Sequence, residues 1–306
     1  MKSGSTLEKV LEAGAFAVTA ELGPPKGADP QVIIDKAGIL KGHADAVNIT
    51  DNQTAIARMS SMAAAKLVIE QGLEPIMQMT CRDRNRLAMQ ADILGAASLG
   101  VRNLLCLTGD HQSFGNHPKS KGVYDLDSVT LIKMVKEMRD VPAFQCGEEI
   151  TKAPELLIGA AANPYADPFP FRAIRLAKKV DAGIDFVQTQ IIYNVDKFEQ
   201  FMAQCRELGV TERCRILAGV APLKSAGMAK YMKSRVAGMD VPDEVVERMS
   251  AAEDAQDEGM NICVDVINRV REVEGVAGVH IMAVEWEEAV PEITSRAGLK
   301  PGSLSL

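Results

Sequence analysis

Residues 74–108 read EPIMQMTCRDRNRLAMQADILGAASLGVRNLLCLT, and the fold turns on how this stretch is parsed. It opens on a short apolar run, 74–80. It then passes through a segment with helix-like spacing that starts near Asp83 and stops at Gly100, and it closes on a second apolar run, 103–108. Runs this short suit strands, the longer amphipathic segment suits a helix, and a glycine just past the last helical turn supplies a left-handed cap. The stretch is one strand–helix–strand unit.

The same unit repeats in both directions. Further strand-like runs lie at 15–20, 45–50, 156–162, 185–190, 215–221 and 279–284, giving eight candidate strands. The intervening segments carry helix punctuation. Asp29-Pro30 is an N-cap followed by proline in the first turn, Asn194 opens another helix, and Gly72 and Gly209 sit at C-terminal caps. The strand runs are apolar on both faces, as strands buried on both sides are. The expected fold is therefore α/β: a (β/α)8 TIM barrel forming one domain over residues 1–306, with an open doubly wound sheet as the competing arrangement. Lys224 to Val273 holds at least two helices between the seventh and eighth strands, the second opening near Val241-Pro242-Asp243. It reads as an extra helix inserted in the barrel.

Composition narrows the function. The chain has 306 residues, of which 25% are charged and 47% hydrophobic, the balance of a globular protein and not a disordered one. A net charge of −7 with 4% aromatic residues lacks the basic, stacking surface of a nucleic-acid binder, so no nucleic-acid partner is expected. No apolar run approaches the ~18 residues of a membrane span, and Lys2, Glu8, Lys9 and Glu12 interrupt any signal-peptide core near the start. The six cysteines form no CxxC pair, and the histidines (His43, His111, His117, His280) lack metal-ligand spacing. No membrane, no metal and a reducing, cytoplasmic setting are expected.

In a closed parallel barrel the chemistry sits at the carboxyl ends of the strands. The residues there are Glu21, Thr50-Asp51-Asn52, Gln78 and Thr80, Thr108-Gly109-Asp110, Asn163, Gln190, Ala221-Pro222 and Glu285-Trp286. Polar side chains ringing one end of a packed barrel cost desolvation energy unless they hold a ligand. Glu21 precedes Leu22-Gly23-Pro24-Pro25, whose two prolines stiffen the exit, and Asp110 opens a long loop to Tyr124. Two carboxylates can divide acid and electrostatic roles. Lys119 and Lys121 on that loop read as a solvated pair, and Arg82, Arg84 and Arg86 read as an exposed basic face. No GxGxxG after a strand, no P-loop and no GxSxG elbow is present.

Taken in order, AELGPP (20–25), VNIT (47–50), MTC (79–81), LTGD (107–110), KGVY (121–124) before DSVTL (127–131), KKVDAG (178–183) and TQ (189–190) resemble the methylenetetrahydrofolate reductase family across about residues 15–285. The KVDAG segment followed by Thr-Gln is the most specific piece. The resemblance implies a barrel carrying a non-covalent flavin, normally FAD, that passes hydride to 5,10-methylenetetrahydrofolate and gives 5-methyltetrahydrofolate. It places the general acid on Glu21, a carboxylate beside flavin and pterin on Asp110, and a pterin-binding amide on Gln190. It assigns flavin contacts to Thr50, Gln78, Leu107, Thr108, Gly109, Asp110, Tyr124, Ala161, Asn163, Asp167, Arg175, Lys178 and Lys179.

Several positions depart from the family pattern. Gln78 stands where the family often has His, Thr108 where it has Arg, Asn163 where it has Tyr and Asp167 where it has His, which leaves FMN open as the alternative flavin. On the substrate side, Ile191 replaces a Phe, Ala226 an aromatic and Trp286 an Arg. With the usual nicotinamide-stacking surface gone, electrons are expected from a partner subunit and not directly from NAD(P)H. The resemblance further implies a folate substrate and an oligomer. The alternative is a pterin-binding barrel without flavin, either a reductase or a corrinoid-linked methyltransferase.

Overall fold

Eight parallel strands close into one barrel: β1 (Ala17–Leu22), β2 (Ala46–Ile49), β3 (Pro75–Thr80), β4 (Asn103–Leu107), β5 (Leu157–Ala162), β6 (Phe186–Ile191), β7 (Arg215–Val220) and β8 (Val276–Ile281), with β8 pairing back onto β1. The computed structural model describes residues 1–236 and 238–302; residues 237 and 303–306 of the expected 1–306 span lie outside the described residues. Around the barrel run α1 (Thr6–Glu12), α2 (Gln31–Leu40), α3 (Ser61–Glu70), α4 (Arg86–Ser98), α5 (Ser128–Asp140), α6 (Phe171–Ala182), α7 (Val195–Glu207), the short α8 (Val210–Arg213), α9 (Ala226–Arg235), α10 (Asp243–Ala251), α11 (Ala255–Arg271) and α12 (Ala289–Arg296).

The middle six strands fall within a residue of the sequence reading. The first and last are displaced by two or three. β1 extends to Leu22, so Glu21 lies inside the strand, and β8 starts at Val276. The segment Val276-Ala277-Gly278 is too small in side chain to look like a strand, yet Gly278 pairs with Ala17, where a Cβ would sit 2.2 Å from the Ala17 carbonyl oxygen. Asn194 caps α7 through the Lys197 N–H, and Asp29 accepts the Gln31 N–H at the entry to α2. α4 opens on Asn85 and not on Asp83, because the Asp83 carboxylate is taken by Arg82. Gly72, Gly100 and Gly209 are all left-handed, as their caps require.

Between β7 and β8 lie three helices, so the one extra helix read from the sequence becomes two. α11 packs against β7 and β8 in the regular position. α9 and α10 are the additions and share a satellite core with Tyr193, Leu223 and Ile262. Asp254 accepts the N–H groups of Gln256 and Asp257, which starts a new helix where the sequence suggested continuity.

Alternation along the strands sorts side chains into two cores. Val18, Ala20 and Leu22 face outward to the helices. Ala17, Ala46, Ile76, Leu105, Leu157, Phe186 and Leu217 face inward at the amino end, where Leu7, Val10 and Leu11 of α1 stopper the barrel. Glu8 of α1 accepts the N–H groups of Ser3 (2.9 Å) and Gly4 (2.7 Å) just ahead of the helix, and Glu74, before β3, pins α1 to the barrel by accepting the N–H of Leu7 (3.0 Å). Phe186 fills the axis only because β5 has glycine opposite it; a Cβ on Gly159 would lie 2.3 Å from the ring. Gly159→Ala is therefore expected to force the ring out of place and to lower stability by about 1–3 kcal/mol, read as a reduced urea midpoint with an unchanged slope.

Candidate active site

Above the apolar stopper the barrel interior turns polar. Thr19, Asn48, Gln188 and His280 are all buried, and they satisfy one another. The amides of Asn48 and Gln188 pair reciprocally (2.6 and 3.0 Å), Gln188 Nε2 donates to Thr19 Oγ1 (3.1 Å), and Thr19 Oγ1 meets His280 Nδ1 at 3.0 Å. Burial pushes the imidazole down to about 3, so His280 is neutral at physiological pH. This layer underlies a cavity of about 350 Å³ whose walls include Glu21, Gln78, Leu107, Ala161, Asn163, Arg175, Lys179 and Gln190, with Asn48, Gln188 and His280 beneath.

A second cavity of about 290 Å³ adjoins it and shares Gln78, Leu107, Ala161, Arg175 and Lys179 as walls; Thr108, Gly109 and Asp110 line its far side. Glu21 and Gln190 thus face one space and Asp110 the neighbouring one. Gly109 is left-handed (φ 90°), and a Cβ there would press on Thr80 and Arg82 at 3.0–3.1 Å, so the backbone beside Asp110 runs close against β3.

Burial raises the Glu21 carboxyl to about 7. The nearby Glu287 adds to the rise, while the Gln53 amide (3.3 Å) and Lys36 oppose it. Lys179 donates to the Ala161 carbonyl (2.6 Å); burial first, and then the charge of Arg175, bring its ammonium down to about 8. At Gln190 the side-chain oxygen accepts the Ile191 N–H (3.0 Å). The β6–β7 register shifts between Gln188 and Ile191, and this irregularity turns Thr189 as well as Gln190 toward the cavity.

In the basic run Arg86 is exposed, as expected, while Arg82 is buried and Arg84 partly so. Arg82 is 2% exposed and binds Asp83, the carbonyl of Asp110 (3.2 Å) and that of Asn52 (3.1 Å). Arg84 pairs with the buried Asp51 (2.7 Å), which also accepts the N–H and hydroxyl of Thr80. Arg86 pairs with Asp125. These ion pairs tie the ends of β2, β3 and β4 to the long loop. Sequence alone placed Arg82 and Arg84 in solvent because the groups that draw them inward, the carbonyls of Asp110 and Asn52 and the Asp51 carboxylate, lie 28–33 residues away.

Other residues drawn from the resemblance stand outside both cavities. Thr50 is buried at the end of β2, and its hydroxyl has no partner. Tyr124 (φ 44°) donates its hydroxyl to the Asp110 carbonyl. Asp167 is exposed, and its carbonyl accepts from Arg172 (2.7 Å); Lys178 is exposed over the Phe171 ring. Ile191 is buried in the satellite core, and Trp286 is half-buried beneath Lys224. Sequence reading missed Asn48, Gln188, His280 and the cavity-lining Arg172. The first three carried a signal, since each is a polar residue one to three positions before the strand end, on the inward face. Among the described residues no cluster of three or more His, Cys, Asp or Glu side chains is placed to hold a metal ion, and no helix is long and apolar enough to cross a membrane.

The sequence profile of the methylenetetrahydrofolate reductase family matches residues 6–298. A 5,10-methylenetetrahydrofolate reductase from Escherichia coli is 23% identical over 297 residues, covering 94% of this chain and 93% of that protein. Methylenetetrahydrofolate reductase 2 of Schizosaccharomyces pombe is 28% identical over 258 residues, covering 79% of this chain and 38% of that protein. A probable methylenetetrahydrofolate reductase (NADPH) from Caenorhabditis elegans is 23% identical over 248 residues, covering 78% and 34%. The chain thus spans little more than a third of the length of these two eukaryotic relatives. Among solved structures, an uncharacterized protein from Clostridium thermocellum that binds two copies of 5-methyl-5,6,7,8-tetrahydrofolic acid superposes with a TM-score of 0.66 at 14% identity, covering 95% of this chain and 99% of that one. At that identity the likeness speaks for the fold.

Two outcomes follow from the site's own physics. Gln188→Leu strands the Asn48 amide in the barrel interior and is expected to cost about 1–3 kcal/mol in chemical denaturation. Glu21 holds its proton more tightly folded than unfolded, so its contribution to stability is complete below the ordinary carboxyl range and is lost as pH rises toward about 7. Glu21→Gln removes that loss. The variant is expected to be more stable than the parent at pH 8 by on the order of 2 kcal/mol, with little difference at pH 4, by thermal unfolding at the two pH values.

Proposed function

The chain belongs to the methylenetetrahydrofolate reductase family, and from that premise we propose that it reduces 5,10-methylenetetrahydrofolate to 5-methyltetrahydrofolate with a bound flavin. The observation that carries this reading is the placement of Glu21. A carboxyl that keeps its proton near neutrality faces the same cavity as the Gln190 amide, with the Asp110 carboxylate in the adjoining space.

The walls suit a flavin. Leu107 and Ala161 give the shared partition an apolar, low-relief surface, and the close backbone at Gly109 leaves room beside it. Arg175 and Lys179 bring positive charge to the same partition, enough for a phosphate. Asp167 and Lys178 stand apart from it, so the mass of the released cofactor decides between FAD, the family norm, and FMN. When bound, the flavin supplies the hydride; the barrel supplies orientation and protons.

Three side chains divide the remaining work. Glu21 donates its proton to the ring nitrogen that leaves the one-carbon unit, which makes the carbon cationic and able to accept hydride. The Asp110 carboxylate stabilises that positive charge. Gln190 holds the pterin by its amide, and its side-chain oxygen is already fixed by the Ile191 N–H. Electrons reach the flavin from a partner subunit; Ile191 and Ala226 at positions where the family carries aromatics support this, since neither offers a face for a nicotinamide. The six free cysteines support work in the reducing cytoplasm.

Purified protein is expected to be yellow, with its flavin reduced slowly by NADH and rapidly by dithionite. A colourless protein that still reduces the folate favours the flavin-free barrel instead. Glu21→Gln is expected to lower 5-methyltetrahydrofolate formation by about 10²–10⁴-fold while dithionite still bleaches the flavin. Because the acid must carry its proton, kcat/KM is expected to fall tenfold per pH unit above about 7, in stopped-flow reoxidation by the folate.

A further inference from the structure

Glu21 is a wall between two spaces. On the side away from the large cavity lies a smaller one, of about 220 Å³, bounded by the rigid Gly23-Pro24-Pro25 exit, Val32 and Lys36 of α2, Gln53, Arg58 and the loop after β8 with Glu285 and Glu287. Its volume far exceeds the ~15 Å³ that a single water requires. In this wall Lys36 and Glu287 form an ion pair (2.5 Å), with the Glu287 side chain only 6% exposed. The proposed reaction empties Glu21 of its proton once per turnover, while folate and cofactor fill the large cavity and block that approach. We infer that Glu21 is reloaded with its proton from the smaller cavity, and that the Lys36–Glu287 pair in its wall adjusts how firmly the carboxyl holds it. The inference rests on Glu21 acting as the acid.

The balance is simple. The Glu21 O–H bond breaks as its proton passes to the substrate nitrogen and the carbon–nitrogen bond opens, leaving a carboxylate. A proton from solvent water in the smaller cavity then restores the carboxyl, and nothing is oxidised or reduced in that step. The charged and titratable groups around Glu21 are Lys36 from α2, Arg58 from the loop after β2, Glu285 and Glu287 from the loop after β8, and His280, Arg172, Arg175 and Lys179 across the large cavity. Of these, Glu287 and Lys36 act on the carboxyl with opposite sign, Glu287 favouring the proton and Lys36 opposing it. Lys36 and Glu287 are positioning residues that touch neither substrate nor cofactor.

That opposition makes the test directional. The carboxyl stretch of Glu21, assigned by its loss in Glu21→Gln, is followed by infrared difference titration of the resting protein. Glu287→Gln is expected to move the midpoint down and Lys36→Met to move it up, each by half a pH unit or more. A merely structural pair gives unmoved midpoints or two shifts of the same sign, and either result overturns the inference. Val32→Phe narrows the smaller cavity without touching Glu21. It is expected to leave the first turnover within twofold of the parent while cutting steady-state turnover at least fivefold and raising its solvent deuterium isotope effect. Unchanged steady-state turnover, or an equal fall in both rates, overturns the reloading route. The titration needs no substrate, so absent folate turnover counts against the proposed function alone, and immobile midpoints count against this inference alone.

Discussion

A barrel interior has no water to satisfy its polar groups, and the molecule's internal organisation follows from that constraint. The amino end solves it with carbon: Phe186, Leu105 and Leu217 under the Leu7, Val10 and Leu11 stopper. The middle solves it by mutual pairing, with the Asn48 and Gln188 amides closing on each other and Thr19 bridging to a neutral His280. Only the carboxyl end is left open. There the half-buried Glu21 keeps a proton because loss of solvation outweighs the opposing Gln53 amide and Lys36.

Rigidity around the opening comes from charge. Asp51 holds Thr80 and Arg84, and Arg82 reaches across to the carbonyls of Asn52 and Asp110. The backbone pays locally: Asn52, Thr54, Ala55, Tyr124 and Glu285 all adopt positive φ, and all lie on loops at this end of the barrel. Strain gathered at one end of the barrel is the distribution expected of a scaffold that positions side chains for a ligand.

The alternation of strands and helices was legible because parallel strands buried on both faces read as continuous apolar runs. Closure of the barrel was an expectation that pairing of β1 with β8 bears out. Residues at strand ends were legible from the same pattern, which is why Glu21, Gln190 and Gln78 are found together. What the sequence hid depends on long-range partners. Nothing local to Arg82 or Arg84 marks them as buried, and nothing local to Lys36 marks Glu287, 251 residues away, as its counterion. The inward amides were hidden for a different reason: Gln188 sits one residue before the Thr-Gln pair that drew attention to the position beyond it.

The stopper helix has a bearing on how the chain is made. α1 precedes every strand in the chain, yet the surface that receives it includes Phe186 on β6 and Leu217 on β7. During synthesis its leucines therefore stay without part of their berth until β6 and β7 have followed. The hydrogen bond from the Leu7 N–H to Glu74, just ahead of β3, joins partners much nearer in the chain, so it needs far less of the polypeptide in place than the apolar seal does.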